Sequence, residues 1–158
     1  MEINSAEILI RTVNLEDIQF LQKLFIETIE SSCKNDYTPE QIKAWTSTAE
    51  NIDRWNSMVE KQFSLIAQLN NKILGFASLQ NDNYVDFLYV HKDFLRNGIA
   101  NVLYDNLKKE STEKGCQKMS SDVSKTARPF FESKGFKVVR ENKKLIKGVE
   151  IVNYYMIQ

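Results

Sequence analysis

The seventeen residues from Val85 to Asn101 constrain this chain more than any other stretch of it. Val85-Asp86-Phe87-Leu88-Tyr89-Val90 has the length and apolar content of a strand. The period then changes. Ile99, Val102, Leu103 and Leu107 recur at the three-and-four spacing of one helix face. The join is His91-Lys92-Asp93-Phe94-Leu95-Arg96-Asn97, and Gly98 opens the helix. A strand that turns into an amphipathic helix through so short a join sets a helix against a sheet, and the remaining elements have to complete that packing.

The rest of the sequence supplies them. Ile8 to Val13 reads as a first strand. Asn14 can cap a helix whose first turn holds Glu16 and Asp17, both favourable at the positive end, and Ile18, Leu21, Phe25 and Ile29 form its apolar stripe. Thr38-Pro39-Glu40-Gln41 is a capping box with proline at the first helical position, so a second helix starts there and carries Ile42 and Trp45. A third short helix surrounds Trp55 and Met58. Phe63 to Leu69 and Lys72 to Leu79 are strands joined at Asn70-Asn71, and Asn81-Asp82-Asn83 turns the chain into Tyr84 to Val90, making a three-stranded meander. The helix opened by Gly98 stops near Lys114-Gly115. A short strand at Gln117 to Asp122, a helix from Lys125 to Lys134 stopped by Gly135, and strands at Phe136 to Lys144 and Val149 to Ile157 follow. The expected class is α+β: a mixed sheet of about seven strands with helices on both faces, in a single domain spanning residues 1–158.

Composition narrows the partners. Lys+Arg 21 balances Asp+Glu 21, so the basic surplus usual in nucleic-acid binders is missing. The start, Met1-Glu2-Ile3-Asn4, has neither the basic nor the apolar region of a signal peptide, and no apolar run reaches the length of about 18 residues that spans a membrane. Cys33 and Cys116 lie far apart with one histidine, His91, in the chain, so no Cys/His metal site is expected and two reduced thiols suit a cytoplasmic protein. His91 reads as a surface turn residue and Cys116 as a packed thiol.

The turn before Gly98 carries chemistry. The first N–H groups of a helix lack intrahelical partners and sit at its positive end. Gly98 has no Cβ and Ala100 little side chain, so a diphosphate could approach those amides, with Arg96 as a charged donor. The plainer reading is a strand–loop–helix join with one glycine in its turn. A Rossmann-type turn is disfavoured, because between Gly75 and Gly115 Gly98 is the one glycine and GxGxxG is missing.

On this pattern the chain resembles the Gcn5-related N-acetyltransferases (GNAT), whose signature Gln/Arg-x-x-Gly-x-Gly/Ala is matched by Leu95-Arg96-Asn97-Gly98-Ile99-Ala100 except at Leu95. Lys72-Ile73-Leu74-Gly75-Phe76-Ala77 resembles the family's third strand, Val85 to His91 its fourth, and Ala127 to Phe136 its aromatic fourth helix with a Gly-Phe exit. The Tyr37, Trp45, Trp55 region and the tail Gly148 to Met156 are similar to a bacterial subgroup of N-acetyltransferases. The resemblance implies a mostly antiparallel sheet, acetyl-CoA as cofactor, and transfer of its acetyl group to a primary amine on a small molecule or peptide.

It also implies roles. The backbone of Leu88, Tyr89 and Val90 would pair with the pantetheine arm. The signature run Leu95, Arg96, Asn97, Gly98, Ile99, Ala100 and Asn101 would hold the diphosphate, chiefly through its amides. Ser124, Phe130 and Phe131 would add contacts from the fourth-helix region. Alternation along the strand would put Tyr84, Asp86, Leu88 and Val90 on one face, with Asp86 the first candidate for general base, Asp122 the second, and Tyr84 beside them. For each carboxylate the plainer reading is a solvated or capping group. Tyr37, Trp45 and Trp55 would line the acceptor pocket, or else pack in the core. Phe131 stands where relatives carry the tyrosine that reprotonates the thiolate, which keeps a non-catalytic acyl-CoA-binding module as the alternative. The two closing strands offer an edge through which a second copy could pair.

Overall fold

A computed structural model describes residues 3–158; the reading of Met1 and Glu2 lies outside them. In chain order the strands and helices are β1 (Leu9–Thr12), α1 (Ile18–Ser32), α2 (Pro39–Thr46), α3 (Ile52–Lys61), β2 (Phe63–Leu69), β3 (Lys72–Gln80), β4 (Tyr84–Val90), α4 (Ile99–Glu113), β5 (Ser120–Ser124), α5 (Arg128–Ser133), β6 (Lys137–Ile146) and β7 (Val149–Ile157). The strands form one seven-stranded sheet in the order β1-β2-β3-β4-β5-β7-β6. Every neighbouring pair is antiparallel except β4 and β5. The expected mixed sheet with helices on both faces is the fold observed.

The helices begin where the sequence places caps. The Thr38 hydroxyl accepts from the Gln41 N–H while the Gln41 side chain accepts from the Thr38 N–H, closing the capping box with Pro39 at the first position of α2. Before α1 a short 3-10 turn intervenes, and the Asp17 carboxylate takes the Asn14 N–H at 2.8 Å and the Arg11 guanidinium at 2.8 and 2.9 Å. Two apolar layers flank the sheet. One packs α1, α2 and α3 on it through Leu21, Phe25, Trp55, Met58, Ile66, Phe76 and Phe87; the other packs α4 and α5 through Leu74, Leu79, Val85, Leu103, Leu107, Val123, Phe131 and Phe136.

Gly75 sets how closely α4 approaches. A Cβ there would lie 2.7 Å from the Tyr89 carbonyl oxygen and 3.2 Å from both Ile99 Cγ2 and Leu103 Cδ1. The first turn of α4 therefore rests directly against β3 and β4.

The central strand departs from the sequence expectation. Leu79 pairs with Val85 and Ser78 with Phe87, so Asp86 is an extra residue, a β-bulge. The bulge resets the alternation. Phe87 and Tyr89 enter the α1–α3 layer, while Val85, Leu88 and Val90 enter the α4 layer. Tyr84 and Asp86 consequently do not share a face with Leu88 and Val90, which corrects the simple alternation expected. The shift of β5 to Ser120–Ser124, from Gln117 to Asp122, has a plain cause: Ser-Ser-Asp-Val-Ser carries little apolar pattern, and pairing with β7 defines it. Among the described residues, no helix is long and apolar enough to cross a membrane.

Candidate active site

β4 and β5 pair in parallel at only two rows, Tyr84 with Ser120 and Val85 with Ser121, and the Ser121 hydroxyl donates to the Val85 carbonyl at 2.7 Å, at the fork. Beyond those rows the strands diverge. β4 from Asp86 to Val90 then has β3 on one side and no strand on the other.

Which backbone groups face the opening follows from the ladder. The His91 N–H donates to the Leu74 carbonyl at 2.7 Å. In an antiparallel pair, bonded rows alternate with unbonded ones. Phe76–Tyr89 and Ser78–Phe87 are therefore bonded rows, and Leu88 and Val90 turn their N–H and C=O groups toward the opening. The Val90 carbonyl is already taken by the Thr28 hydroxyl at 2.8 Å. The Leu88 N–H and C=O and the Val90 N–H are left on the free edge, whereas Tyr89's backbone is committed to β3. The expectation that Tyr89 joins Leu88 and Val90 in presenting backbone to a ligand is corrected to that extent.

At the end of β4 the chain enters the turn before α4. Arg96 and Gly98 both have left-handed backbone, φ 63° and 79°. The Asn97 side-chain amide donates to the Phe94 and Leu95 carbonyls at 3.2 and 3.1 Å, so the turn's carbonyls are drawn inward. The first bond closing α4 is from the Val102 N–H to the Gly98 carbonyl, 3.1 Å, which leaves the Ile99, Ala100 and Asn101 N–H groups at the open helix end. No atom lies within 4 Å of where a Gly98 Cβ would stand. The side chains divide differently: Ile99 is buried under the helix, Leu95 and Arg96 point to solvent, and Ala100 is half-buried.

On the α1–α3 side of the fork lies a polar floor. The Tyr84 hydroxyl donates to Asp122 Oδ2 at 2.5 Å, and Asn142 Nδ2 donates to Asp122 Oδ1 at 2.8 Å and to Asn153 Oδ1 at 2.9 Å. Asp86 is held from α3 and its exit: Arg54 reaches one carboxylate oxygen at 3.3 Å, Gln62 the other at 2.9 Å, and the Arg54 guanidinium lies 4.4 Å over the Phe87 ring. Burial, then the Asp122 hydrogen bond and charge and the Asp86 charge, push the Tyr84 hydroxyl well above the ordinary tyrosine range, so it stays protonated. Burial does the same to Tyr89, which sits among Phe25, Phe76 and Phe87.

The structure thus brings Tyr84, Asp86 and Asp122 together. It places several other candidates elsewhere. Trp55 is 1% exposed, wedged among Phe25, Phe76 and Phe87, and is core rather than a pocket wall. Tyr37 is buried too; its hydroxyl donates to the Val152 carbonyl at 2.7 Å and accepts from the Lys125 N–H at 3.0 Å, tying the α1–α2 loop to β7 and the β5–α5 turn. Trp45 packs on Tyr37 and is half-buried. The Phe131 ring is buried against Phe136 and offers no surface to the opening, while half-buried Phe130 rests on Tyr104. The Ser124 hydroxyl accepts from the Ala127 N–H at 3.0 Å and so turns the chain into α5. His91 is half-buried, its Nδ1 accepting from the Asp93 N–H, and burial lowers its pKa. A concavity of about 680 Å³ between α1, α2 and the β6–β7 turn lies away from this floor.

Sequence reasoning missed Arg54, Gln62, Arg140, Asn142 and Asn153. Tyr155 pairs with Asp122 on one side and with Arg140 on the other, and Asn153 pairs with Asn142 and Ser124. Arg140, Asn142, Asn153 and Tyr155 reach the floor through strand register, and Arg54 and Gln62 reach it from α3 and its exit.

A sheet that forks between two parallel central strands, with an open helix end on the strand leaving the fork, defines an acyltransferase fold, and the comparisons agree. The family model described as Acetyltransferase (GNAT) domain matches residues 33–157, and the chain belongs to that family. It is 33% identical over 147 residues to the uncharacterized N-acetyltransferase YafP of Escherichia coli (strain K12), covering 93% of each chain. A GCN5-related N-acetyltransferase structure from Rhodopseudomonas palustris superposes with a TM-score of 0.92 at 29% identity, over 100% of this chain and 99% of that one. The PaiA N-acetyltransferase of Thermoplasma acidophilum, solved in complex with coenzyme A, shares the fold with a TM-score of 0.77 at 20% identity, over 96% and 98% of the two chains.

Proposed function

We propose that this protein transfers the acetyl group of acetyl-CoA to a primary amine by direct attack in a ternary complex. The observation that carries the reading is the two-row pairing of β4 with β5, because an unpaired strand edge, an open helix end and two carboxylates all lie just beyond it. The residues suit a CoA thioester. The Ile99–Asn101 N–H groups and the open space at Gly98 fit a diphosphate. The free Leu88 and Val90 groups fit an extended amide-bearing arm added as a strand. The complex of the PaiA relative with coenzyme A supports the assignment.

Bound there, acetyl-CoA would supply an acyl carbon activated by a thiolate leaving group. The chain's own residues do the rest. The Leu88 N–H donates to the carbonyl oxygen as it gains charge. The acceptor arrives as an ammonium ion, and with a lysine-like pKa of about 10.4 freeing its lone pair at pH 7 costs roughly 4–5 kcal/mol. A carboxylate on the floor takes that proton. Asp122 is reached without displacing anything, since its partners Tyr84 and Asn142 are neutral; Asp86 is reached only by moving Arg54. Asp122 therefore serves as base and Asp86 helps hold the cation, the reverse of the order expected from the sequence. As nitrogen bonds to the acyl carbon the carbon–sulfur bond would break; the nitrogen would shed its second proton as the sulfur gains one, and Asp122 would pass the first proton to solvent. Buried Phe131 has none to give, and Tyr84 and Tyr89 are the neutral hydroxyls on this face.

The test is CoA release from acetyl-CoA over a panel of small and peptidic primary amines. Turnover that falls by about 10² or more in Asp122→Asn, with CoA affinity kept, supports the reading. Tight CoA binding with no turnover on any amine, unaltered by Asp86→Ala, would make the protein a non-catalytic acyl-CoA-binding module.

A further inference from the structure

The floor carries a cation as well as carboxylates. On the row that runs from β5 through β7 to β6, Asp122, Tyr155 and Arg140 stand side by side on one face. The Arg140 guanidinium lies 4.3 Å over the Tyr155 ring, its Nε donates to Asn142 Oδ1 at 3.3 Å, and it has no acidic partner among the described residues. Asn142 in turn donates to Asp122 and to Asn153. One side-chain amide thus stands between a carboxylate and a guanidinium. Its orientation is fixed by its neighbours, because a carboxylate only accepts and a guanidinium only donates. Opposite charges on one face that could close into a salt bridge are instead kept one amide apart, each with hydrogen-bonding capacity to spare. The Tyr155 ring holds the guanidinium over it, and apart from Nε, which donates to Asn142, its N–H groups have no side-chain or backbone acceptor among the described residues and can take an anion.

We infer that the acceptor is a zwitterion, a primary amine that also carries a carboxylate, as in a free amino acid. Its ammonium group faces Asp122, with Asp86 beside it, and its carboxylate faces Arg140. The inference rests on the acyl-transfer reading for the position of the amine. Charge complementarity across the row supplies the rest: a simple cationic amine would leave Arg140 unanswered, and an acidic ligand without an amine would face Asp122 and Asp86. The Asn142–Asn153 pair and the Tyr155 ring form the strip between the two charges, which suits a short polar or apolar backbone.

The experiment uses matched pairs, free α-amino acids and ω-amino acids against their carboxamides. It measures acetylation by CoA release and binding by calorimetry to protein saturated with CoA. The wild type is expected to favour the acid over the amide in kcat/KM or Kd by tenfold or more, the worth of a charge-assisted contact. Arg140→Met, which keeps the apolar stem on Tyr155, is expected to erase that ratio. Lys143→Met removes the same charge from the same strand on the opposite face and is expected to preserve it. Equal use of acid and amide, a preference for the amide, or a preference that survives Arg140→Met would overturn the inference while leaving acyl transfer standing. Acid-selective binding that depends on Arg140 but leads to no acetylation would do the opposite. Neither binding nor acetylation of any acid in the panel would also overturn it.

Discussion

The two aspartates beside the fork have the same chemistry and different neighbours. Asp86 is clasped by Arg54 and Gln62, its side chain 10% exposed, whereas Asp122 is exposed and bonded to neutral groups. Removing Arg54 therefore acts on the acceptor's ammonium rather than on the acyl donor. Arg54→Ala is expected to lower KM for cationic amines severalfold, since a competing cation is taken off Asp86, and to leave the Kd for CoA within about twofold. Steady-state kinetics with amine and acetyl-CoA varied separately would show it. A rise in KM for the amine would mean that Arg54 holds Asp86 in its working position instead. At this scale the sequence was partly legible. Tyr84 and Asp86, at the start of β4, and Asp122, in β5, were singled out by the family resemblance, which matches them to positions where a base is placed. Arg140, Asn142, Asn153 and Tyr155 come from the two closing strands and meet Asp122 only through pairing register, which no local pattern carries.

At the scale of elements, two glycines decide where α4 stands and what its end offers, by different physics. Gly75 is a matter of space. A methyl group there meets the Tyr89 carbonyl, a backbone atom that cannot swing aside, as well as Ile99 and Leu103 in the first turns of α4. Gly75→Ala is expected to cost about 1–3 kcal/mol, seen as a melting point lower by several degrees, and to weaken CoA binding because the helix end moves. Gly98 is a matter of conformation. Its φ of 79° suits glycine while the surrounding space is open. Gly98→Ala is expected to cost about 1–2 kcal/mol and to weaken CoA binding more than Gly75→Ala does for the same loss of stability, since the added methyl projects into the space an anion would enter. Calorimetric melting together with CoA titration separates the two, and equal losses of affinity per unit of stability would refute the distinction. Most elements could be read because caps and periods announce them: Thr38 to Gln41 at α2, and Gly98 and Gly115 around α4. The Asp86 bulge could not, because one extra residue leaves composition and approximate alternation intact while moving every later side chain to the other face. β5 was misplaced for a related reason. Its serines gain strand character from β7 and from the fork, not from an apolar pattern of their own.

For the molecule as a whole, the layers on both sides of the forked sheet have to be held in place, and tyrosines contribute to this out of proportion. Tyr37 ties the α1–α2 loop across to β7 and the β5–α5 turn, Tyr84 bridges the fork to Asp122, Tyr89 fills the layer under α1, and Tyr104 accepts from Gln158 at the end of the chain. Burial raises all four hydroxyls above the ordinary value near 10, Tyr37 to about 12 and Tyr84 and Tyr89 further. The sign of the consequence follows directly. Above pH ~10 the unfolded chain releases these protons while the native protein keeps them, so the native state binds more protons and stability falls as pH rises. Below that value the tyrosines' contribution is fully present. Urea midpoints are therefore expected to stay level, as far as these groups are concerned, from pH 8 to about 9.5. They should then drop steeply, by up to about 1.4 kcal/mol per pH unit for each tyrosine still protonated in the native state. Phenolate absorbance should show Tyr37, Tyr84 and Tyr89 failing to ionise near pH 10 until the protein unfolds. Tyr37→Phe is expected to make that alkaline slope shallower by close to one proton, while lowering stability at neutral pH through loss of its two hydrogen bonds, which leaves the Val152 carbonyl and the Lys125 N–H without their partner. A native protein whose tyrosines all ionise around pH 10 without unfolding would show that the layers holding these hydroxyls are looser than their packing implies.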